Sequence, residues 1–398
     1  MKYFGAITRF EVLRSLLLLF VFSIPLSQAV SSVLLIVTCS VCFFVGDATL
    51  SFKSFFRDSW DMIFYVAVLA FGLLFSEDLM LGLKVIETNL CFLAVPTIFS
   101  RIRVFDKKLL SHIFYSFAAG LGIACLICIG HATVQYSTTH DVNSFFFYNL
   151  TEIVNLQPTY FAYYLIFVIA YGLYQFYYHD TILNRYAYSL CLLFFFFVLM
   201  LTGGQTAFVS AILVCSFFIL KFLTEHKTSY KRISIGLVIF MILGMFAATF
   251  VSDGGDRKLE LNDAWDRLVL WESAIEATPN VMVGVGTGDY KAVLNSYYVA
   301  HGMTDFAKES FNAHNQFIQL LFSNGLIGVL ALVIMLARPM YLSAKNQNPV
   351  GILLFFPFLI YGTTEVFLGR YQGVVFFVFL HQFLIAKINN EKKPLSEM

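Results

Sequence analysis

Apolar run follows apolar run along this chain. Stretches near 12–28, 30–46, 61–76, 82–99, 109–130 and 157–177 are succeeded by others near 187–202, 205–222, 233–250, 313–337, 350–366 and 371–387. A helix crosses the hydrocarbon of a bilayer with about 20 predominantly apolar residues, and no globular core can hide a dozen such segments. The composition agrees: 59% of residues are hydrophobic and 13% charged, against about 25% charged in an ordinary soluble domain. The expected fold is therefore all-α and polytopic, with about 12 transmembrane helices packed in a lipid bilayer. A formal net charge of +1 gives no electrostatic case for nucleic acid.

Lys and Arg in short loops set orientation. With the N-terminus inside, 19 of the 26 cations fall on cytoplasmic segments. The other side holds Lys84, Arg257, Lys258, Arg267, Lys291, Lys308 and Arg370. Both termini are expected in the cytoplasm. The first 30 residues imitate a signal peptide, ending in Ser27-Gln28-Ala29, but a second apolar run follows at once, so an uncleaved first helix is preferred. The resulting map has helices over 1–250, a large external loop over 251–312, three more helices over 313–388 and a short tail over 389–398.

That loop is the least hydrophobic part of the chain, and structureless connections of such length are usually functional. A helix is expected from Asn262 to Ala277, started by Asn262 or Asp263 and stopped at Thr278-Pro279-Asn280. All seven cysteines lie in apolar runs, so none staples the loop, and the two C-x-x-C pairs read as helix packing.

Ionisable residues at or in the membrane are functional candidates. Lys84 and Glu87 open the fourth run, and Glu365 and Arg370 bracket the turn before the last. Arg267 and Trp271 share a helix face four residues apart, and His314 stands where the loop re-enters the membrane, in Asn312-Ala313-His314-Asn315-Gln316. The remaining histidines, His381 among them, show no partner spacing. There is no phosphate loop, no dinucleotide fingerprint in Gly284-Val285-Gly286-Thr287-Gly288, and no zinc-type cluster. No D-x-D or E-x-D occurs in the external segments, so no metal or other cofactor is expected, and charge on a phosphorylated substrate would fall to arginine.

Arg267-x-x-x-Trp271, Pro279, Gly284-x-Gly286, Tyr290, and His314-Asn315 followed nine residues later by Gly325-x-x-Gly328 resemble the O-antigen ligase / O-antigen polymerase family. Further likenesses are Glu87 nine residues before Pro96, Pro158-Thr159-Tyr160-Phe161, and Thr364-Glu365 followed by Arg370 and Gly373 to Phe377. The resemblance implies a GT-C-like glycosyltransferase of the bacterial inner (plasma) membrane, with a large periplasmic loop and a periplasmic active face. Its donor would be a glycan on undecaprenyl diphosphate. Its acceptor would be lipid A–core for a ligase, or a carrier-linked glycan for a polymerase. Arg267 and Arg370 are then expected on the diphosphate and His314 as general base or acceptor-positioning group, with Glu365 and Asp289 as weaker alternatives for the base. Trp271 would stack on a sugar or merely pack, and Gly325 and Gly328 read as helix-packing positions. Gln205 occupies the place of a family arginine, and Gln157 that of a common histidine. Lys84, Arg370 or another cation takes over from the missing arginine, or the donor differs, or the chain is impaired. A multi-span transporter is the reading from another class; it would put its ionisable groups near the midplane between repeats, whereas here they lie along one face.

Overall fold

The structure, a computed structural model, describes residues 2–44, 48–102, 105–178, 185–224 and 264–391. Among these, all regular structure is helical. The first part runs α1 (Lys2–Ser23), α2 (Gln28–Cys42), α3 (Ala48–Gly72), α4 (Leu79–Asn89), α5 (Cys91–Arg101), α6 (Lys107–Thr139), a short α7 (Phe147–Thr151), α8 (Pro158–Tyr178), α9 (Arg185–Leu201) and α10 (Gln205–Thr224). The second runs α11 (Ala264–Glu276), α12 (Tyr290–Ala300), α13 (Thr304–Glu309), α14 (Gln316–Lys345), α15 (Val350–Gly362) and α16 (Tyr371–Glu391).

Every apolar run that falls on described residues is helical in the main, and among the described residues six segments are long and apolar enough to cross a membrane: Phe52–Phe75, Leu79–Arg101, Lys107–Thr139, Pro158–Tyr178, Gln316–Lys345 and Tyr371–Asn390. Gln28–Cys42, Arg185–Leu201, Gln205–Phe218 and Val350–Gly362 are apolar but shorter. The run read at 233–250, loop residues 251–263 with their expected helix cap, and the tail from 392 lie outside the described residues.

Polar side chains start the helices where the sequence turns. Asp78 accepts from Leu81 N–H at 2.9 Å, Asp106 from Leu109 N–H at 2.7 Å, and Asn315 from Phe317 and Ile318 N–H at 2.9 and 3.1 Å; each satisfies backbone donors that a helix start leaves open. Helices α8 and α16 form the centre, their apolar windows 89% and 94% buried. Aromatic rings fill the space between them and α6, where Phe117 stacks on Phe379 with centroids 5.6 Å apart. Buried tyrosines need a partner for the hydroxyl. Tyr164 donates to Gln372 O at 2.9 Å, and Tyr361 to Thr159 O at 2.7 Å. On the outer helices Ile36, Leu126 and Leu190 are exposed, as a lipid-facing surface requires.

The helices also enclose a charge cluster that local spacing in the sequence does not announce. Asp61 on α3 and His381 on α16 are both fully buried, and Asp61 Oδ2 lies 2.8 Å from His381 Nε2. Arg338 on α14 donates to Asp61 Oδ1 at 2.5 Å and to the carbonyls of Asp58 and Arg57 at 3.0 and 2.7 Å. The ring of Trp60 covers the guanidinium. His381 thus has a partner 320 positions away, invisible to a search for local spacing.

The polar stretch between α10 and α14 has a small core of its own where it is described, built on Leu270, Ala274, Leu294, Tyr298, Ala313 and Phe322. The helix expected over Asn262–Ala277 is seen from Ala264 to Glu276.

Candidate functional site

Helix α14 is not continuous. At Gly325 the backbone turns to φ 65°, ψ −165°, a region open essentially to glycine alone. The break strands carbonyls that an unbroken helix would use. The glycine-rich stretch after α11 fills it: Val285 N–H donates to Phe322 O and Gly286 N–H to Ser323 O, both at 2.9 Å, and Leu326 N–H returns a bond to Val281 O at 2.8 Å. The approach is so close that a Cβ on Gly325 would lie 2.2 Å from Met282 O, and one on Gly284 2.6 Å from Phe322 O. Gly325 is therefore a helix break and not the packing position read from the sequence.

The same stretch locks the ends of α3 and α4. Thr287 donates to Leu69 O at 2.7 Å and accepts from Asn324 Nδ2 at 2.8 Å. Asp289 accepts from Glu77 and Asp78 N–H, one carboxylate oxygen each, both at 2.8 Å. Both oxygens of Asp289 are thus taken by backbone donors, which makes it a fastener between two segments instead of a free base.

Above this wedge lies a cavity of about 480 Å³, walled by Lys84, Thr88 and Asn89 of α4, Tyr148, Gln157, Tyr290, Glu309 to Asn312, His314, the first two turns of α14, and Glu365, Val366 and Leu368 to Arg370. It collects four of the expected residues, Lys84, His314, Glu365 and Arg370, from three separate parts of the chain. The Lys84 side chain makes no bond or ion pair among the described residues.

His314 is the centre of the arrangement. Its backbone is left-handed, with φ 42°, a strained choice for a residue with a side chain. Its N–H donates to Asn312 Oδ1 at 2.8 Å. Its Nδ1 lies 3.8 Å from Glu365 Oε2, and both side chains are largely buried, 23% and 16% exposed. Burial, reinforced by the charges of Arg267 and Arg370, pushes the imidazole down to about 4, since a protonated ring would be poorly solvated and repelled by two cations. Burial pushes Glu365 the other way, up, against the opposing pull of the Val366 N–H, Arg370 and Arg267.

Arg267 and Trp271 stand on α11 just outside the cavity wall. The Nε of Arg267 and the Nε1 of Trp271 are buried without a hydrogen-bond partner. Gln205 is exposed at the start of α10 and does not line the cavity; its neighbour Thr206 meets Thr364 at 3.1 Å, beside Glu365. The amides Asn89, Asn312, Gln316, Gln319 and Asn324 also line the cavity and escaped the sequence reading. Gln316 and Gln319 stand three residues apart at the start of α14, on one helix face, directly after the non-helical Asn312 and His314.

The chemistry available is plain from this inventory. Two guanidinium groups bias the site toward an anion, a neutral imidazole with a carboxylate at its back can take a proton, and amides offer directed hydrogen bonds. Among the described residues no three His, Cys, Asp or Glu side chains gather as a metal site would require.

The sequence profile of a family described as O-antigen ligase matches residues 190–333. That segment holds Gln205, Arg267, Trp271, Asp289, His314 and the break at Gly325, but neither Lys84 nor Glu365 nor Arg370, which the fold brings to it. An uncharacterized protein of Haemophilus influenzae is 24% identical over a 122-position alignment that covers 28% of this chain. The match spans 31% of that protein's length. With its apolar helices and this family segment, the chain is a multi-pass membrane protein.

Proposed function

On the strength of residues 190–333, which assign the chain to the O-antigen ligase / O-antigen polymerase family, we propose that it moves a glycan from undecaprenyl diphosphate to lipid A–core, as an O-antigen ligase. The observation that carries this reading is the meeting of His314, Glu365 and Arg370 on one cavity, with the charge of Arg267 felt by both His314 and Glu365.

The reaction breaks the bond between the sugar's anomeric carbon and the diphosphate, and forms one from that carbon to an acceptor hydroxyl oxygen. The bonding electrons leave with the diphosphate, whose growing charge Arg370 and Arg267 stabilise more strongly in the transition state than before it. Glu365 faces Nδ1 of His314 and so favours the tautomer that leaves Nε2 free to accept the hydroxyl proton. Attack opposite the leaving group inverts the anomeric centre. Arginine takes the part that a divalent ion plays in metal-dependent transferases, and the reaction needs no metal. Lys84 guides the anionic donor at the rim. The cavity faces the periplasm, with both termini in the cytoplasm of a cell whose inner membrane holds the protein.

Deleting the gene and restoring it with His314→Ala or Arg370→Gln tests this in cells. If the chain is a ligase, its deletion leaves long glycans on the carrier, unattached to lipid A, and the variants fail to restore attachment. A deletion that leaves only single repeat units would instead make the chain a polymerase of the same family. Full restoration by either variant would overturn the assignment of the site.

A further inference from the structure

Three amides on one wall of the cavity share a feature that their residue type alone does not give. Gln316 and Gln319 are only 2% and 6% exposed, and Asn312 is half-buried. The carbonyl oxygen of each is taken by a backbone donor: Leu368 N–H to Gln316 Oε1 at 2.8 Å, Ala313 N–H to Gln319 Oε1 at 3.2 Å, and His314 N–H to Asn312 Oδ1 at 2.8 Å. A backbone N–H must meet oxygen, so the usual ambiguity of an amide's orientation is removed. What remains for the cavity is the NH₂ end. None of these three nitrogens donates to any described residue, and none is sealed off from the cavity they line.

The wall therefore turns three NH₂ donors to the cavity, each fixed in orientation by the bond its oxygen already accepts. A sugar hydroxyl can accept from one of these donors but must also place its own hydrogen on a separate acceptor. A carbonyl-type oxygen suits the wall well, having lone pairs and no hydrogen. Buried donors left without partners are costly, so a substrate that lacks such an oxygen is discriminated against.

We infer that Asn312, Gln316 and Gln319 form a subsite that binds a carbonyl-type oxygen carried by a sugar of the substrate, on an N-acyl or a uronate substituent. This rests on the reading of the cavity as a glycan-transfer site, and it adds which sugars the site selects.

The test uses the full-length protein in detergent and three short-chain polyprenyl-diphosphate lipids, bearing a glucosyl, a 2-acetamido-glucosyl or a glucuronosyl residue. Binding is measured directly by calorimetry, so the result does not depend on transfer. The wild type should bind at least one carbonyl-bearing lipid about tenfold or more tightly than the glucosyl lipid. The N-acyl and uronate sources are told apart by which of the two is preferred. Gln316→Glu and Gln319→Glu keep the oxygen that Leu368 and Ala313 need but remove the donors, and Asn312→Asp does the same beneath His314. Each should reduce the preference to within about threefold, with its thermal unfolding transition in place. Equal binding of all three lipids by the wild type, or variants that keep the full preference, would overturn the inference. Discrimination in binding with no glycosyl transfer would uphold it while sinking the proposed function.

Discussion

Nδ1 of His314 lies 3.8 Å from Oε2 of Glu365, a separation too long for a hydrogen bond and short enough for the carboxylate to stabilise the ring once it takes a proton. The pair is assembled from two parts of the chain 51 positions apart in the sequence. Its histidine lies within the family match and its carboxylate outside. If His314 accepts the acceptor's proton, His314→Gln should lower turnover by about 10²–10⁴-fold with little change in donor binding. Glu365→Gln should cost less, because it removes the stabilising charge and leaves the base. Single-turnover rates at saturating donor separate these effects from affinity, and a His314→Gln enzyme with wild-type turnover would exclude the role.

The position of the acid limb follows from the signs of the shifts. A ring held down at about 4 by burial, Arg267 and Arg370 stays neutral, and available as a base, well below the ordinary histidine value of about 6.5. For the free enzyme, kcat/KM should therefore hold as pH falls and drop only near 4. Bound diphosphate neutralises both arginines, so two of the three causes weaken and the ring becomes more basic. The acid limb of kcat should then lie at higher pH than that of kcat/KM. Arg267→Gln should move the kcat/KM limb upward as well. Coincident limbs, or a downward move in the variant, would contradict this electrostatic picture.

Gly325→Ala tests the helix break. The new Cβ would meet Met282 O at 2.2 Å in a backbone region that other residues avoid, costing roughly 1–3 kcal/mol from the strain alone and more from the clash. The thermal transition in detergent should fall, and activity per folded molecule with it, since the glycine-rich wedge also fixes α3 and α4. An alanine variant of unchanged stability would mean that α14 can run straight through.

These residues also mark how far the sequence could be read. The apolar runs announced the helices because in lipid the backbone must satisfy its own hydrogen bonds, and Arg267 and His314 stood out as ionisable groups in a family-like spacing. Gly325 reads as a packing position because nothing local tells a packing glycine from a breaking one. The distinction is made by Val285 and Gly286, whose N–H groups occupy the freed carbonyls. Asp289 looked like a base for the same reason: its two backbone donors come from more than 200 positions away. The amides of the cavity wall carry no signal in the sequence, because only the fold reveals which end of each is already used.

The buried cluster of Asp61, Arg338 and His381 yields a stability prediction independent of the site. Asp61→Asn leaves the partly buried Arg338 without its counter-charge and should cost about 3 kcal/mol. Asp61→Leu combined with Arg338→Met should recover much of that loss, since apolar side chains can replace a buried ion pair at little cost. Thermal melts of the three variants decide it. A double variant as unstable as Asp61→Asn would show that the cluster is needed for more than charge balance.

The central claim is transfer of a glycan from a lipid diphosphate at the cavity of His314, Glu365 and Arg370. Its most direct test is the purified protein in liposomes with a polyprenyl-diphosphate-linked glycan and lipid A–core, followed by the mobility of the lipid A product on a gel. The wild type should yield a glycan-bearing product and remain active in EDTA, and Arg370→Gln should yield none. Absence of product with both substrates bound, or undiminished product from Arg370→Gln, would contradict it.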